Sequence, residues 1–572
     1  MSAQRAPAPV RVAAFVAAAA AVVLAAVLAV RVAGRREPPR PPDAPPPPSG
    51  VPVDRKERVR HEEFRDGRVA VSVRGDLAFR GSDGREHLTG SVEVVRYSPA
   101  GEASARLTAD EVAYEKGALR FEVTGRVRIE AGGAALEGEA FLYDEAAGTF
   151  GTSSGGRFTG DGLDGKAREI VYDEKAGEAR LGGGFRARLA AADGGPLFLA
   201  GESLRYGRVS RQGRVTGWAS LAAEGLSAEA AAVAFFVAAD EAGLEAAVLE
   251  GGAVLTARSG GGVARTVAAP EVRLDFSLPG GGPAWSASGG VRVETRGPGD
   301  VGRVLLGEEA RFDAAGVLRV SAPAGGRAAA DSADVRFEAP AIEIASGTGD
   351  LTAEGGVTGV LKKSPGARRP GFFSRDEDIS FSCRNLRSRD EGETIDLAGE
   401  ALVRQGSAAV RGGAIELAGG DGRMKGGDGV TVTLPETGAA GRPEPAAALA
   451  GREMAFSPDT RTLTVSGGAS VGLPGARLEA GSLAAVLAPD GRAVGTLTAE
   501  GGVVVTRGGD TGRAKAAFYD AAARRLVLTG SPVLTDAEGG AARGDKLTFD
   551  LADDKIFLEN EGTGRTATVI RS

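Results

Sequence analysis

The chain has 572 residues, enough for roughly three or four domains or for one long array of repeats. Glycine accounts for 88 residues, about twice its usual ~7% share, and aromatic residues for only 5%. This composition disfavours a helical enzyme and predicts an all-β fold of many short strands and tight turns. The formal net charge of −7 arises from 69 basic and 76 acidic residues mixed along the chain, so no basic face predicts binding to nucleic acid.

Cysteine and histidine are scarce in this sequence. The single cysteine, Cys383, excludes an intramolecular disulfide, and the two histidines, His61 and His87, are too few for a clustered zinc site. We therefore predict no metal and no cofactor. Cys383 is predicted to be a small buried side chain, and both histidines are predicted to lie at the surface.

Residues 1–36 are predicted to form an N-terminal membrane anchor. Val12 to Val30 is an uncharged run of Ala, Val, Leu and one Phe, which at ~1.5 Å per residue spans a hydrocarbon core of ~30 Å. The larger side chains of this single transmembrane helix include Val12, Phe15, Val22, Leu24, Leu28 and Val30. A cleaved signal peptide is the alternative, but its apolar region is normally ~7–15 residues long and ends at small residues. This run ends in Arg31, Arg35 and Arg36 instead.

Residues 37–52 follow as a Pro-rich linker that includes Pro45 to Pro48. Such a run favours extended polyproline II and acts as a semi-rigid spacer. The folded part of the chain is therefore expected to stand off the membrane.

From about residue 53 onward a loose sequence motif, which we call the phrase, recurs along the chain. It consists of an apolar residue, Tyr or Phe followed by Asp or Glu, a short turn with Gly or Lys, and then alternating apolar residues. The clearest copy runs from Ala109 to Ile129, and others begin near Ala167, Gly307, Ala514 and Gly544. The turn residues between the alternating segments predict hairpins.

The clearest copy shows the physical basis of the phrase. Leu119, Phe121, Val123, Val127 and Ile129 share one parity, and the charged residues between them share the other. A strand with this pattern has one apolar and one polar face. Units that cannot bury their own apolar face must stack, which predicts a β-roll or solenoid with little helix beyond the anchor.

Glycine pairs followed by valine recur where these strands are predicted to begin. They include Gly290, Gly356 and Gly502. Glycine adopts positive φ without strain, so these positions predict bulges or bends.

The anchor, the spacer and the phrase Ala-x-x-h-x-Tyr-Asp-x-x-x-Gly-x-h-x-h-x-Gly-x-Val, where h is apolar, resemble a family of periplasmic lipopolysaccharide-transport proteins of Gram-negative bacteria. This is the LptC and LptA (OstA-like) family. The resemblance covers most of residues 53–572 as a pattern and is clearest at 107–185 and 478–562. The chain is longer than a usual LptC-like protein, which suggests an LptC-like part fused to LptA-like repeats. Its apolar positions are often Ala or Val where larger residues are expected.

The resemblance implies an elongated open β-jellyroll, or β-taco, of stacked hairpins behind the membrane helix. It suggests an LptC-like β-jellyroll over residues 53–230, a β-repeat region over 231–360, a β-repeat region with polar loops over 361–450 and an OstA/LptA-like β-jellyroll over 451–572. Lipid A acyl chains would slide along the apolar inside of the sheet, with no catalytic step. The residues that we expect to face this lipid groove are Leu119, Phe121, Val123, Val127, Ile129, Tyr172, Phe518, Leu526, Leu528, Leu547, Phe549, Ile556 and Leu558.

The resemblance also implies partners and a location. The expected partners are lipopolysaccharide, the inner-membrane permease subunits of an ABC transporter, and further β-jellyroll bridge proteins that join by edge-strand pairing. The expected location is the inner membrane, single-pass, with the bulk of the chain in the periplasm. The positive-inside rule, applied literally, would place that bulk in the cytoplasm, because more arginines follow the helix than precede it. The resemblance outweighs this count because long domains translocate largely regardless of nearby charge.

The C-terminal end of the chain is predicted to present an edge. The final hairpin, Lys546 to Phe549 and Lys555 to Leu558, leaves a strand edge to which another protein can dock. The tail from Gly562 to Ser572 is the alternative occupant, because it can pair there as a last strand.

Two other functional classes stay open at the level of sequence. A structural or adhesive cell-envelope solenoid needs a closed core, and a β-helix enzyme acting on polysaccharide needs a carboxylate cluster in a polar cleft. The acidic residues that follow Tyr lie at turns all along the chain, which favours solvated turn carboxylates over an acid and base pair. The glycines from Gly160 to Gly165 match a dinucleotide-binding fingerprint, but the segment leads into a predicted strand and not into a helix.

Overall fold

The structure is a computed structural model. It describes residues 55–571 apart from 66, 99, 116, 132–133, 161–162, 174, 192–194, 208, 239–242, 259–262, 278–283, 297–301, 347, 364–370, 375, 390–392, 420, 435–446, 490–492 and 561–567. The regular elements in this part of the chain are all β-strands, which confirms the predicted all-β fold. The predicted anchor and the Pro-rich linker lie outside the described residues. Within those residues, no helix has the length and apolar character needed to cross a membrane.

The chain divides into two compact units, unit 1 with residues 1–291 and unit 2 with residues 292–572. The strands of unit 1 are β1 (Arg55–Arg65), β2 (Arg68–Arg80), β3 (Glu86–Tyr97), β4 (Ala103–Glu115), β5 (Arg120–Ala131), β6 (Ala134–Asp144), β7 (Thr149–Thr152), β8 (Gly156–Gly160), β9 (Leu163–Asp173), β10 (Glu178–Ala190), β11 (Pro196–Gly207), β12 (Gln212–Ala223), β13 (Leu226–Ala230), β14 (Ala232–Val237), β15 (Leu244–Arg258) and β16 (Ala264–Asp275). The division falls within β17 (Ala284–Arg296).

Unit 2 is built from shorter strands on average. They are β18 (Arg303–Phe312), β19 (Val317–Ser321), β20 (Ala328–Asp331), β21 (Val335–Ala339), β22 (Ala341–Ala345), β23 (Leu351–Glu354), β24 (Val357–Leu361), β25 (Ile379–Cys383), β26 (Asn385–Arg389), β27 (Thr394–Gln405), β28 (Ala408–Ala418), β29 (Met424–Gly427), β30 (Val430–Thr433), β31 (Ala448–Gly451), β32 (Glu453–Ser457), β33 (Thr462–Leu473), β34 (Ala476–Leu487), β35 (Val494–Arg507), β36 (Asp510–Asp520), β37 (Arg525–Thr529), β38 (Val533–Thr535), β39 (Ala541–Arg543), β40 (Lys546–Asp550), β41 (Lys555–Glu559) and β42 (Thr568–Arg571).

The strands pair antiparallel and follow chain order, so each unit is a succession of stacked hairpins, as predicted. In unit 1, β3 pairs with β4, β4 with β5 and β5 with β6. In unit 2, β33 pairs with β34, β34 with β35 and β35 with β36. At several positions in the stack, two short strands in line, or half-strands, take the place of one long strand. For example, β7 and β8 both pair with β6 on one side and with β9 on the other.

The predicted segment boundaries do not coincide with the division into two units. The boundary at 230/231 lies between the half-strands β13 and β14, which share β12 and β15 as partners. The boundaries at 360/361 and 450/451 fall inside β24 and β31. The assignment of these segments to family domains stays a prediction.

Most long strands bend near their middle, and residues with positive φ mark the bend. In β5 the pairing register slips between Thr124 and Val127, where Gly125 has a φ of 72° and Arg126 a φ of 45°. This left-handed conformation is strained for residues with a Cβ, which is why glycine recurs there. The bulge also preserves the inward direction of the side chains on both sides of the bend.

The predicted bend glycines have positive φ, with values of 90° at Gly290, 96° at Gly356 and 73° at Gly502. Gly290 and Gly502 lie in the middle of β17 and β35 and not at strand starts. The pattern of Gly-Gly-Val therefore marks the fold line of a strand in these two cases, because the strand continues on both sides of the bend.

The bends bring the two ends of the strands toward each other. The turns of each unit form two opposite rows, which we call the first rim and the second rim. The first rim comprises the turns at 81–85, 117–119, 145–148, 175–177, 209–211, 313–316, 421–422, 458–461, 521–524 and 551–554. The second rim comprises the turns at 100–102, 191 and 195, 224–225, 332–334, 406–407, 474–475, 508–509 and 536–540.

Contacts between the rims show that the sheet of each unit is folded over. In unit 1, Ala191 on the second rim forms a parallel bridge with Leu244, the first residue of β15 beside the first rim. In unit 2, Arg507 at the second rim forms an ion pair with Asp554 on the first rim. The inner faces of the two halves therefore lie against each other, and we refer to this enclosed layer as the interior.

The core of each unit is the interior. Alternate residues on both halves of the strands point inward and are fully buried, including Leu107, Phe121, Ile129, Leu249, Leu255, Val410, Leu463, Leu478, Leu526 and Phe549. A Cβ on Gly512, which lies in β36 near the second rim, would be 3.0 Å from the ring of Phe549, which lies in β40 next to the first rim. The two halves are thus in contact through their side chains at this level.

Candidate functional site: the apolar interior of the folded sheet

Unit 1 carries a ladder of five aromatic side chains in its interior, beside the first rim. Tyr114 pairs with Phe121, Phe121 with Tyr143, Tyr143 with Phe150, and Phe150 with Tyr172. Each is between 0% and 3% exposed. The rings of Tyr114 and Phe121 stack with centroids 4.2 Å apart, a geometry that adds to the stabilisation from burial. The ladder forms a continuous apolar wall across these strands.

The acidic residue that follows the aromatic explains why the phrase recurs. Asp144 accepts the backbone N–H of Ala147 at 2.9 Å, and Asp173 accepts that of Ala176 at 2.9 Å. Carboxylates in this arrangement stabilise turns. The hydrogen bond from the N–H of Ala147 has the largest effect on the pKa of the Asp144 carboxyl, and that from the Arg120 guanidinium the next largest. Both lower this pKa below its usual value. The copies that end in Asp144 and Asp173 therefore place an aromatic inward and close the first rim with a capped turn.

Most of the residues expected to face a groove point into the interior. The buried ones are Phe121, Val123, Val127, Ile129 and Tyr172 in unit 1, and Leu526, Leu528, Leu547, Phe549 and Ile556 in unit 2. The structure brings Phe121 and Tyr172 into one aromatic ladder and sets Leu526 opposite Phe549 on paired strands. Their role toward a lipid stays a prediction.

The inward orientation predicted for Phe518 is wrong. Phe518 is 45% exposed, whereas its neighbours Ala517 and Tyr519 are 2% and 4% exposed. Successive side chains of a strand point to opposite faces, so Tyr519 is the inner aromatic of β36. The signal was available, because Tyr519 and Asp520 match the Tyr-Asp pair of the other copies.

Two further groove candidates deviate from the prediction. Leu119 belongs to the turn before β5, where its φ is 55° and its side chain is half-buried, so its assignment to the strand is wrong. Leu558 lies on β41 and is half-buried. The prediction missed Tyr114, Tyr143, Phe150 and Tyr519. The aromatic residue before a first-rim turn identifies Tyr114, Tyr143 and Tyr519, whereas Phe150 follows its turn and is found only through its pairing with Tyr143.

Charged side chains lie at the mouth of the interior, where the two rims face each other. Arg507 is 9% exposed and donates to the carbonyl oxygen of Asp550 at 3.4 Å, in addition to its ion pair with Asp554. Arg303 at the second rim donates to the carbonyl oxygen of Gly349 at 3.1 Å near the first rim. Arg265, on β16, is 3% exposed, and burial lowers its pKa. These cations help to hold or line the mouth, while the interior itself is apolar.

The histidines and the cysteine have structural surroundings. The surface position predicted for His87 is wrong: its side chain is only 13% exposed, because it lies between Glu111 and Asp83 and stacks on Phe79. Cys383 is buried as predicted, and burial raises the pKa of its thiol to about 11. In the part of the chain that the structure describes, no group of three or more His, Cys, Asp or Glu side chains is arranged to hold a metal ion.

Comparison of the chain with protein-family models and with curated proteins gave no match.

The kind of ligand that the interior can bind follows from the composition of its lining. It offers apolar area along successive strands, and the described polar side chains buried in it are mostly at the rims or bends. Such a surface favours an apolar ligand over a polar one.

Proposed function

We propose that the interior binds the acyl chains of a lipid and that the protein is an inner-membrane-anchored periplasmic component of lipopolysaccharide export. Lipid A acyl chains pass along the interior toward the outer membrane, and the sugars stay in water. In this proposal the folded-over sheet acts as an open β-jellyroll whose rims part to admit the ligand. The observation that supports it most is the apolar interior that runs through successive strands of each unit.

The energetics of burial are consistent with this role. Apolar surface contributes ~25 cal/mol for each Å² removed from water, so an acyl chain gains binding energy from hydrophobic contact alone. The inner side chains already bury one another, so a ligand enters only where the two halves separate. Transport of this kind needs no catalytic step. The recurrent phrase and its resemblance to the LptC and LptA family give the proposal its specific ligand.

Photocrosslinking from adjacent residues tests the proposal. A benzophenone amino acid at Tyr519 points into the interior, and the same amino acid at Phe518 points outward from the same strand. We expect lipopolysaccharide to be captured in cells at position 519 and not at position 518. Equal capture at both positions, or none at 519 and none at Phe121, would contradict the proposal.

The proposed partners bind at the edges of the sheet. Residues Thr568–Arg571 of the tail form β42, which pairs with β41, so we place the proposed docking edge on β42 and not on the final hairpin. At the other end of the chain's described part, β1 pairs with β2. We propose that bridge proteins of the same fold add a strand at such an edge and that permease subunits of an ABC transporter bind near the anchor.

A structural or adhesive cell-envelope solenoid is the second candidate. The contacts between the rims favour it, because Ala191 pairs with Leu244 and Arg303 bonds to Gly349 across the mouth. A closed core of this kind holds no lipid. The crosslinking experiment distinguishes the two candidates, since a solenoid captures no lipopolysaccharide from any inner position.

A further inference from the structure

The connection between β24 and β25 contains described residues that lie at the mouth of unit 2. We call its residues 371–374 and 376–378 the strap. The connection leaves and re-enters the sheet at the second rim, but the N–H of Gly371 donates to the carbonyl oxygen of Gly422 on the first rim at 3.0 Å. The described residues of the strap therefore contact both rims, the first rim through Gly371 and the second rim through Ser374 and Glu377.

One side chain holds the strap at the second rim. The amide of Gln405, at the end of β27, accepts the N–H of Ser374 at 2.6 Å. It also donates to the carbonyl oxygens of Ser374 at 2.9 Å and Glu377 at 3.0 Å. Gln405 is 8% exposed, so these bonds are shielded from water and satisfy a buried amide.

Two aromatic side chains carry the strap into the interior. Phe372 and Phe373 are 8% and 6% exposed, and their ring centroids are 4.9 Å apart. Phe372 meets Phe456 of β32 edge to face at 6.0 Å, and Phe456 pairs with Met424 of β29. The pair of rings thus covers an apolar wall formed by Phe456 and Met424, which are themselves 5% and 1% exposed.

The strap differs from the rest of the wall in how it is held. Neighbouring strands are joined by ladders of backbone hydrogen bonds. The described residues of the strap lie outside such ladders and are held by the Gly371 bond, the Gln405 amide, the N–H of Lys363 donated to Asp378, and the aromatic contacts. Segments held by few bonds open at lower free energy than the ladders beside them. An acyl chain presents the same apolar surface to Phe456 and Met424 as the two rings do, and it leaves no buried backbone group to satisfy.

We infer that the strap is an exchangeable occupant of an acyl-chain subsite. A fatty acyl chain takes the place of Phe372 and Phe373 against β29 and β32, and the strap moves off the first rim. The inference rests on the proposed function and adds the position of one subsite and the segment that competes for it. The apparent affinity of this subsite is lowered by the fraction of molecules in which the strap occupies it.

The first test labels the subsite directly. The probe is a palmitic acid that carries a photoreactive diazirine, applied to the full chain, with the labelled peptides located by mass spectrometry. The Phe372→Ala/Phe373→Ala variant removes the competing rings, and we expect labelling of peptides that contain Met424 or Phe456 to rise about tenfold. Phe381→Ala is the matched control, because Phe381 is a similarly buried phenylalanine, 4% exposed, on the ladder strand β25.

A second variant protects the test against misfolding of the first. Gln405→Ala releases the strap at the second rim without removing a contact to Phe456, and it should raise the same labelling by a smaller factor. In the unaltered chain, palmitic acid should increase hydrogen exchange at Gly371 and Ser374, while the amides of β25 keep their protection.

The possible results separate the two proposals. Labelling that occurs elsewhere in the interior but does not change at Met424 and Phe456 in either strap variant overturns the strap inference and leaves the proposed function intact. An equal rise in Phe381→Ala also overturns the strap inference. Absence of labelling in every variant overturns both.

Discussion

His87 shows how a single residue couples this fold to pH. Its ring nitrogens lie 2.6 Å from a carboxylate oxygen of Glu111 and 3.1 Å from one of Asp83. Burial lowers the pKa of His87, but the hydrogen bonds to Glu111 and Asp83 outweigh it, so the pKa is raised above its ordinary value of 6.5. The protonated form is therefore favoured in the folded chain.

The raised pKa of His87 predicts a stabilising contribution that depends on pH. It is fully present below the unfolded-state pKa of ~6.5 and is lost as the pH rises through the higher folded-state pKa. His87→Gln should therefore lower the free energy of unfolding more at about pH 5.5 than at about pH 9. Urea denaturation of both proteins at the two pH values measures this. Glu111→Gln should weaken the same dependence, and an equal loss at both pH values would refute the assignment.

Tyr519 and Phe518 test the inner and outer faces of β36 against each other. Tyr519→Asp places an unpaired charge in the interior, which should cost about 3 kcal/mol or more of unfolding free energy. Phe518→Asp changes an exposed position and should alter it by less than ~0.5 kcal/mol. Urea denaturation decides between them, and comparable losses would contradict the assignment of faces.

At the scale of elements, the bend is the recurrent device. In β33, Gly467 and Gly468 have φ values of 78° and 80° at the point where the pairing register slips. A long strand crosses from one half of the folded sheet to the other through such a bend, so one hairpin contributes to both walls of the interior. The bend glycines therefore determine where the sheet folds.

Gly468→Ala isolates the backbone cost of a bend. A Cβ at Gly468 meets nothing within 4 Å, so its positive φ is the source of strain, and we expect a loss of about 1 kcal/mol. Gly472 is the control, because it lies in the same strand, also has open space around its Cβ position, and has an ordinary φ. Gly472→Ala should be neutral or slightly stabilising. Thermal unfolding compares the two variants, and equal shifts would argue against strain at the bend.

At the scale of the whole molecule, the division into two units limits how far damage spreads. Deleting residues 542–572 removes most of β39 and all of β40, β41 and β42, uncovers Leu526 and Leu528 on β37, and takes away Asp554, the partner of Arg507. Unit 1 keeps its own buried interior, and stacked hairpins lose terminal members without global collapse. The loss is therefore expected to stay within unit 2.

The deletion of 542–572 should leave the unfolding transition of unit 1 unchanged and abolish association with a downstream bridge protein. Calorimetry measures the first effect, and crosslinking in cells measures the second. A tail-only deletion of residues 561–572 removes β42 but leaves the final hairpin, so it separates the contribution of the last strand to this association from that of the hairpin. Recovery of the downstream partner at full yield from the longer deletion would show that the contact lies elsewhere.

The all-β fold, the stacked hairpins and the capped turns follow from the sequence because they are local. Alternation with a period of two determines which face of a strand is apolar, as it does from Phe121 to Ile129. An acidic residue after an inner aromatic caps its own turn within three residues, as Asp144 does with Ala147. The positive φ of Gly290, Gly356 and Gly502 is likewise a property of glycine itself.

The face of β36 shows where local pattern becomes ambiguous. Phe518 and Tyr519 are adjacent aromatics, and a shift of one residue exchanges the inner face for the outer one. Only pairing with the neighbouring strands, which sets Tyr519 opposite Leu497 and Leu526, determines which of the two points inward.

The closure of the interior was decided by tertiary structure alone. The strap depends on Gln405, which lies 31 residues from Ser374, and the mouth of unit 2 depends on the pairing of Arg507 with Asp554. His87 owes its burial in part to Glu111, which lies 24 residues away. No periodicity within a strand encodes such contacts, because they arise only when the bends have brought the two rims together.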